Sequence, residues 1–578
     1  MGTCAEALAS ALREAGVEVM FGLPGGEILD FIEAARRAGI RFLLTRHEAT
    51  AAFMADVTGQ ITRRPGVCVS TLGPGAVNMT LGVANAYLDR SPVIAITAAL
   101  ARAAEPFATH QQLDLNAVYR PFTKLTITLD GVDTRSKVSE AIAAATAMRM
   151  GPVHIALPSD VARNSDVPGT RPHPASNHRG GLLPDGIIPA AAASPRPIDL
   201  APAAAPPDTG SYDAARRPDA GSAGDVTAVA DAIAAARRPV VIVGLDVNPS
   251  TETAAVRAVV QALGVPVFVT PKAKGLVSED HPLYCGVCAG VAGDPLIVEF
   301  LGRADLLVGI GFDPVESDKL WHHTMPLVSV SSASIAAGAF RPRVEAVGRL
   351  SDLLEALCRR DWPAFEWPAD VCARFRNDLD RMLRPAQRPR GISPYELTRT
   401  LRSLFPRDTI LATDVGSIKS ITTQAWRSYE PLTFLESNGL SAMSYSLPAA
   451  MAARLHYAHR PVLCTIGDGG FGMTLAELET CVRERLHFVT VVFNDSALSL
   501  IDVAQQNRGY PTYGVRYGRV DFAAVAAGCG AWARRAESLE ALEDAIVEAR
   551  AIDRPVVIDA IVDPAEYLAH HPRALRNV

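Results

Sequence analysis

Asp468 and Asn494 are the acid and the amide that a magnesium ion uses when it borrows its remaining oxygens from a phosphate. The text between them explains how two positions a helix's length apart could meet. PVLCTI is an apolar run of strand length ending at Ile466, and GDGG follows at Gly467 to Gly470. TLAELETCVRERL comes next, with apolar residues at helical spacing and acids near its start, and then HFVTVVF, which delivers Asn494 and leads to Ser496. In a right-handed βαβ unit the two strands run parallel, so Asp468 and Asn494 emerge at one carboxyl edge, where open α/β sheets bind ligands. Gly469 and Gly470 leave room for phosphate to approach backbone N–H groups at a positive helix end. The plainer account is a tight turn at GDG and a strand-end cap at Asn494.

A chain of 578 residues must position this unit, and that is too long for one ordinary core. Its 48% hydrophobic and 20% charged residues place it among soluble globular proteins. A net charge of −6 gives no basic footprint for nucleic acid or an anionic membrane. No apolar run has transmembrane length, and CAEALASALREAG opens the chain as an amphipathic helix rather than a secretion signal. A cytoplasmic location is the expectation. Glu6 stands where myristoylation of Gly2 would require serine or threonine. The nine cysteines are scattered except for Cys285 and Cys288, a lone CxxC without the second pair or histidines of a zinc site, read as buried thiols rather than a redox pair.

The fold class expected is α/β, with three doubly wound parallel-sheet domains. Residues 1–165 alternate strand-plus-turn units (VEVMFGLPG, RFLLTRHE, GVCVSTLGPG, SPVIAITAA, GPVHIALPSD) with helical stretches. Residues 166–222 are rich in Pro, Ala and Gly, cannot bury a core and read as a poorly ordered linker. A second α/β domain spans 223–360, and a charged helical connector, ADVCARFRNDLDRMLRP, opens the last domain, 361–578. No short-period repeat is visible.

In the first domain Glu48 follows RFLLT and enters the helix ATAAFMADVTGQITR. An acid there is favoured by the helix dipole alone. Two glycine-rich turns, GLPGG ending at Gly25 and Gly26 and TLGPG around Pro74, belong to the same sheet edge; neither is a GxGxxG dinucleotide fingerprint.

The set FGLPGGEILDF, RHEATAAFMAD, STLGPGAVN, NGLSAMSYSLPAA and GDGG through NDS resembles the thiamine diphosphate enzymes of the acetolactate synthase and 2-oxo acid decarboxylase superfamily. The resemblance covers nearly the whole chain outside 166–222. It implies pyrimidine-binding, central and diphosphate-binding domains, and active sites between the first domain of one subunit and the last of another, hence a homodimer or homotetramer. Glu48 then matches the glutamate that hydrogen-bonds the aminopyrimidine and favours the tautomer that takes the thiazolium proton. Asp468 and Asn494, with the Ser496 carbonyl, match the magnesium ligands. Met443, otherwise a core methionine, matches the residue that props the cofactor into its bent shape. The turn DVGS, with Gly416 and Ser417, resembles a loop holding the diphosphate; Gly25, Gly26, Pro74, Asn78, Ser441, Gly467, Gly469 and Gly470 complete the implied cofactor contacts.

FATHQQLDLNAVYRPFTK and GFDPVESDKLW are most similar to acetolactate synthases, the second to their flavin-independent, catabolic type. His110 and Gln111 match a pair near the substrate, where a neutral histidine and an amide donate to a carboxylate or developing alkoxide; a solvent-facing polar loop is the alternative. In the biosynthetic type a tryptophan screens the second substrate where DVAQQ has Ala504, yet Met443 follows that type. The resemblance therefore implies a carboligase acting on pyruvate or a related 2-oxo acid with a second 2-oxo acid or aldehyde. A simple 2-oxo acid decarboxylase or carbon–carbon lyase is the alternative, and a non-catalytic relative a third. Thiamine diphosphate and Mg2+ are the implied cofactors; PKAKGLVSEDHP leaves FAD undecided.

Overall fold

The computed structural model describes residues 2–168, 223–288, 292–316, 325–336, 340–384 and 390–570. Except for residues 166–168, the expected linker lies outside these, as does the end of GFDPVESDKLW. Within the described residues 18 strands form three six-stranded sheets in which neighbouring strands run parallel. The first holds β1 (Val19–Leu23), β2 (Arg41–Leu44), β3 (Gly66–Ser70), β4 (Val93–Ala99), β5 (Leu125–Thr128) and β6 (Val153–Pro158). The central sheet holds β7 (Pro239–Val243), β8 (Val267–Val269), β9 (Tyr284–Val287), β10 (Leu306–Ile310), β11 (Leu327–Ser331) and β12 (Val344–Val347). The last holds β13 (Ile410–Thr413), β14 (Phe434–Glu436), β15 (Val462–Gly467), β16 (Val489–Asn494), β17 (Trp532–Ala536) and β18 (Val556–Ile561). Strands such as β3, β6 and β7 are buried at every residue, because helices cover both faces of a parallel sheet and the strand text becomes continuously apolar.

Strand order distinguishes the three. The central sheet runs β12-β11-β10-β7-β8-β9, the doubly wound order whose ligand crevice opens between its first and fourth strands. The first sheet, β2-β1-β3-β4-β6-β5, and the last, β14-β13-β15-β16-β18-β17, share one order, with the reversal between their first and third strands. GLPGG and TLGPG follow β1 and β3; DVGS and GDGG follow β13 and β15. Both glycine-rich pairs therefore stand at a topological switch point.

The first and last domains meet through alanine-rich helices. Helix Glu48–Thr62 is buried along almost its whole length between helices Pro74–Leu88 and Ser446–His456. Small residues let these backbones approach closely: a Cβ on Gly82 would fall 2.5 Å from the Ala52 Cβ. The helix expected after GDGG is two helices, Asp468–Thr474 and Glu477–Arg483, and the first begins at Asp468 itself, so the glycines are its first turn rather than a loop. Cys285 and Cys288 lie buried in and just after β9, unpaired. Among the described residues no helix is long and apolar enough to cross a membrane.

Candidate active site

β15 and β16 pair with Gly467 opposite Phe493, which sets Asp468 level with Asn494 at the carboxyl edge of the sheet. The Asp468 carboxylate accepts the Gly469 N–H (2.8 Å) and the Tyr517 hydroxyl (2.6 Å) at Oδ1, and the Ser496 N–H (2.6 Å) at Oδ2. Asn494 donates from Nδ2 to the Val520 carbonyl (3.1 Å) and to Asp559 Oδ1 (2.8 Å). Two acceptors on one end fix the amide's orientation, and its Oδ1 is left buried without a partner. Ser496 has φ 62°, a region a residue with a side chain enters at a cost, and its Oγ is also buried and unpartnered.

Burial pushes the Asp468 carboxyl up, and burial followed by the neighbouring Asp468 charge pushes Asp495 up to about 7. A cation reverses both effects, and the orphaned amide oxygen lacks the same partner. The donors are all oxygens and few, as a small hard cation beside a phosphate requires, so the residues fit magnesium.

The same edge opens into a cavity of about 230 Å³ lined by Gly416, Ser417, Ser441, Met443, Gly467, Gly469, Gly470 and Leu498 among others, all from the last domain. Ser417 begins helix Ser417–Ala425, and its buried Oγ has no partner. This helix and Asp468–Thr474 both start at the cavity, so its floor suits a diphosphate. Met443 sits in a turn flanked by positive φ at Ser441 (54°) and Ser444 (71°). Asp414, at the end of β13, holds that turn by accepting the N–H groups of Ser444 (3.0 Å), Tyr445 (2.9 Å) and Ser446 (3.2 Å). Burial raises its carboxyl to about 6 against those bonds. A Cβ on Gly470 would lie 1.9 Å from Asp414 Oδ2, so this position admits only glycine.

Glu48 is elsewhere. It opens helix Glu48–Thr62 after β2, is 5% exposed, and its Oε2 accepts a hydrogen bond from Asn78 (3.1 Å) on helix Pro74–Leu88. Gly25 and Gly26 stand after β1, joined to the turn after β3 by Thr71, whose hydroxyl donates to Glu27 (2.8 Å). Gln111 lies against Gly73, with its Cβ 3.0 Å from where a Cβ on that glycine would stand; His110 is exposed beside it. Glu48, Asn78 and Gln111 thus gather around the TLGPG turn, and none lines the cavity. The turn before Glu48 is docked on the last domain of its own chain: Glu477 Oε1 accepts the N–H groups of Arg46 (3.0 Å) and His47 (3.1 Å).

Sequence reading missed Tyr517, Asp559 and Glu477. Asp559 had a signal, an acid inside the apolar run VVIDAI that is fully buried on folding. Tyr517 had none.

Residues 2–118 match the family Thiamine pyrophosphate enzyme, N-terminal TPP binding domain; 226–357 match its central domain, and 414–560 its C-terminal TPP binding domain. The chain is 30% identical over 573 residues to the acetolactate synthase of Bacillus subtilis, covering 97% of this chain and 93% of the relative. It is 30% identical over 572 residues to the catabolic acetolactate synthase of Raoultella terrigena, covering 97% and 95%. A probable 2-ketoarginine decarboxylase of Pseudomonas aeruginosa is 28% identical over 553 residues, covering 94% and 90%.

Proposed function

The chain belongs to the thiamine pyrophosphate enzyme family, and on that premise we propose that it is a carboligase. It decarboxylates pyruvate or a related 2-oxo acid and passes the acyl-anion unit to a second carbonyl compound, the activity named in its acetolactate synthase relatives. The observation that carries the reading is the orphaned Asn494 Oδ1 at the strand end level with Asp468, which itself lines a cavity where two helices begin.

Asp468, Asn494 Oδ1 and the Ser496 carbonyl would hold Mg2+; Gly416, Ser417, Gly467, Gly469 and Gly470 would hold the diphosphate; Ser441 and Met443 would wall the thiazolium end. Bound thiamine diphosphate supplies the nucleophilic carbon that adds to the donor carbonyl and takes up the electron pair carbon dioxide leaves behind. Glu48 would exchange a proton with the aminopyrimidine, its carboxylate oriented by Asn78. Gly25, Gly26 and Pro74 shape the edge on which that ring would lie. His110 and Gln111, next to the same turn, would donate to the substrate carboxylate or the developing alkoxide.

Because neither Glu48 nor Asn78 nor Gln111 lines the cavity, we infer that a second copy completes each site and that the working form is a homodimer or a dimer of dimers. Val77 (43% exposed) and Leu81 (42%), on the helix that carries Asn78, with Met473 (63%) on the helix of Asp468, supply the apolar surface such a pairing buries.

With pyruvate, thiamine diphosphate and Mg2+, the expected product is acetolactate. Acetaldehyde alone would overturn the reading in favour of a 2-oxo acid decarboxylase. What favours that second reading is Ala504, small and partly exposed on helix Ser499–Asn507, where the resemblance puts a tryptophan that would screen the second substrate. A panel of branched and aromatic 2-oxo acids separates the two.

A further inference from the structure

We propose that Tyr517 is a positioning residue for the metal, and that the strap from Gly509 to Val520 sets the protein's affinity for Mg2+. The inference rests on the magnesium reading of Asp468, Asn494 and Ser496.

The strap returns along the segment that follows Asn494 and touches all three ligand candidates. Tyr517 contributes twice: its hydroxyl donates to Asp468 Oδ1 (2.6 Å) and its backbone N–H donates to the Ser496 carbonyl (3.2 Å). At the strap's end the Val520 carbonyl accepts from Asn494 Nδ2 (3.1 Å), which helps turn Oδ1 toward the site. The Ser496 carbonyl keeps one lone pair and Asn494 Oδ1 both; Asp468 Oδ1 is filled by the Gly469 N–H and the Tyr517 hydroxyl, which leaves Oδ2, with the Ser496 N–H as its one donor, as the oxygen Asp468 would offer the metal.

The strap is itself held. Leu498 N–H donates to the Val515 carbonyl (2.8 Å), and Ala497 bridges antiparallel to Arg516. Asp502, buried on helix Ser499–Asn507, accepts from Thr512 Oγ1 (2.5 Å) and Arg516 (3.0 Å). Gln505, on the same helix, pairs both ends of its amide with the Tyr513 backbone (2.9 and 3.1 Å). That helix also carries Ile501, which lines the cavity, so the cavity wall and the strap share one support. Outer-shell partners of this kind change metal affinity about 10–100-fold when removed.

The test is a Mg2+ titration of thiamine diphosphate binding, followed by calorimetry on the full chain, for wild type, Tyr517→Phe, Tyr513→Phe, Asp502→Asn and Asp468→Ala. Tyr517→Phe keeps the backbone N–H and loses only the hydroxyl. It is expected to weaken Mg2+ about 10-fold, with full thiamine diphosphate binding regained at saturating Mg2+ and with the melting temperature of the unliganded protein unmoved. Tyr513→Phe, whose side chain is solvent-exposed, is expected to match wild type. Asp502→Asn, which frees the strap without touching a ligand, is expected to shift Mg2+ affinity in the same direction. Wild-type or tighter Mg2+ binding by Tyr517→Phe and Asp502→Asn overturns the inference, the tighter result meaning that the hydroxyl competes with the metal. If Asp468→Ala also binds Mg2+ like wild type, the magnesium reading itself falls.

Discussion

A carboxylate that accepts three backbone N–H groups can order a turn more firmly than side-chain packing, and Asp414 does this for the turn bearing Met443. In Asp414→Asn one oxygen becomes an NH2 that faces N–H donors. Losing an accepted bond and burying unsatisfied donors costs about 1–3 kcal/mol. The expected outcome is a lower melting temperature together with weaker thiamine diphosphate binding by calorimetry; an unchanged affinity would mean that the Met443 turn holds its shape without Asp414. The sequence made Asp468 and Asn494 legible because strand, helix and strand lengths alone bring them to one edge. It placed Asp414 within a diphosphate loop, whereas Val415, Gly416 and Ser417 of that loop line the cavity and the acid turns to the neighbouring turn. Tyr517 was illegible for a plain reason: its two contacts depend on where a loop returns, and no periodicity encodes that.

At the scale of elements, parallel strands and their helices were readable because full burial writes continuous apolar runs between helical stretches. Strand order was not, since every such run looks alike and the order depends on which crossover passes which way. The shared order of the first and last sheets is accordingly visible only in the fold. β6 adds a titrating element to this architecture. His154 is fully buried there, stacks on Tyr119 with ring centroids 4.1 Å apart, and hydrogen-bonds Thr97 (2.9 Å). The Tyr119 hydroxyl donates to the Ala76 carbonyl (2.5 Å), so the stack supports the helix of Asn78. Burial drops the His154 pKa to about 3. A depressed value means that the unfolded chain takes up a proton below about pH 6.5 that the folded chain refuses. The contribution is whole above that pH and is lost progressively down to about 3. Between pH 7 and pH 5 wild type should lose about 2 kcal/mol more stability than His154→Gln. Urea unfolding at the two pH values checks this, and parallel losses in the two proteins would contradict it.

In the whole molecule one ammonium ties the three domains together. Lys272, after β8, donates to Gln60 (2.8 Å) and Asp89 (3.0 Å) of the first domain and to the Glu436 carbonyl (3.0 Å) of the last. Burial opposes its charge, but Asp89 and Asp56 overcome that and hold its pKa up. Asp89 also accepts the Gly439 N–H (2.9 Å), so the network reaches the loop leading to Met443. With these bonds, and with Glu477 clasping the turn before Glu48, one chain's first and last domains are locked in an arrangement that keeps Glu48 out of that chain's own cavity. The assembly then has a measurable consequence. Glu48→Gln and Asp468→Ala should each inactivate the enzyme when present in every chain. Co-expressed with different tags and purified as a hybrid dimer, they place both lesions in one site and leave the other intact. The hybrid should regain about half of wild-type activity if each site joins two copies. Sites built within single chains would each carry a lesion, and a hybrid as inactive as its parents would return Glu48 and Asp468 to the same chain.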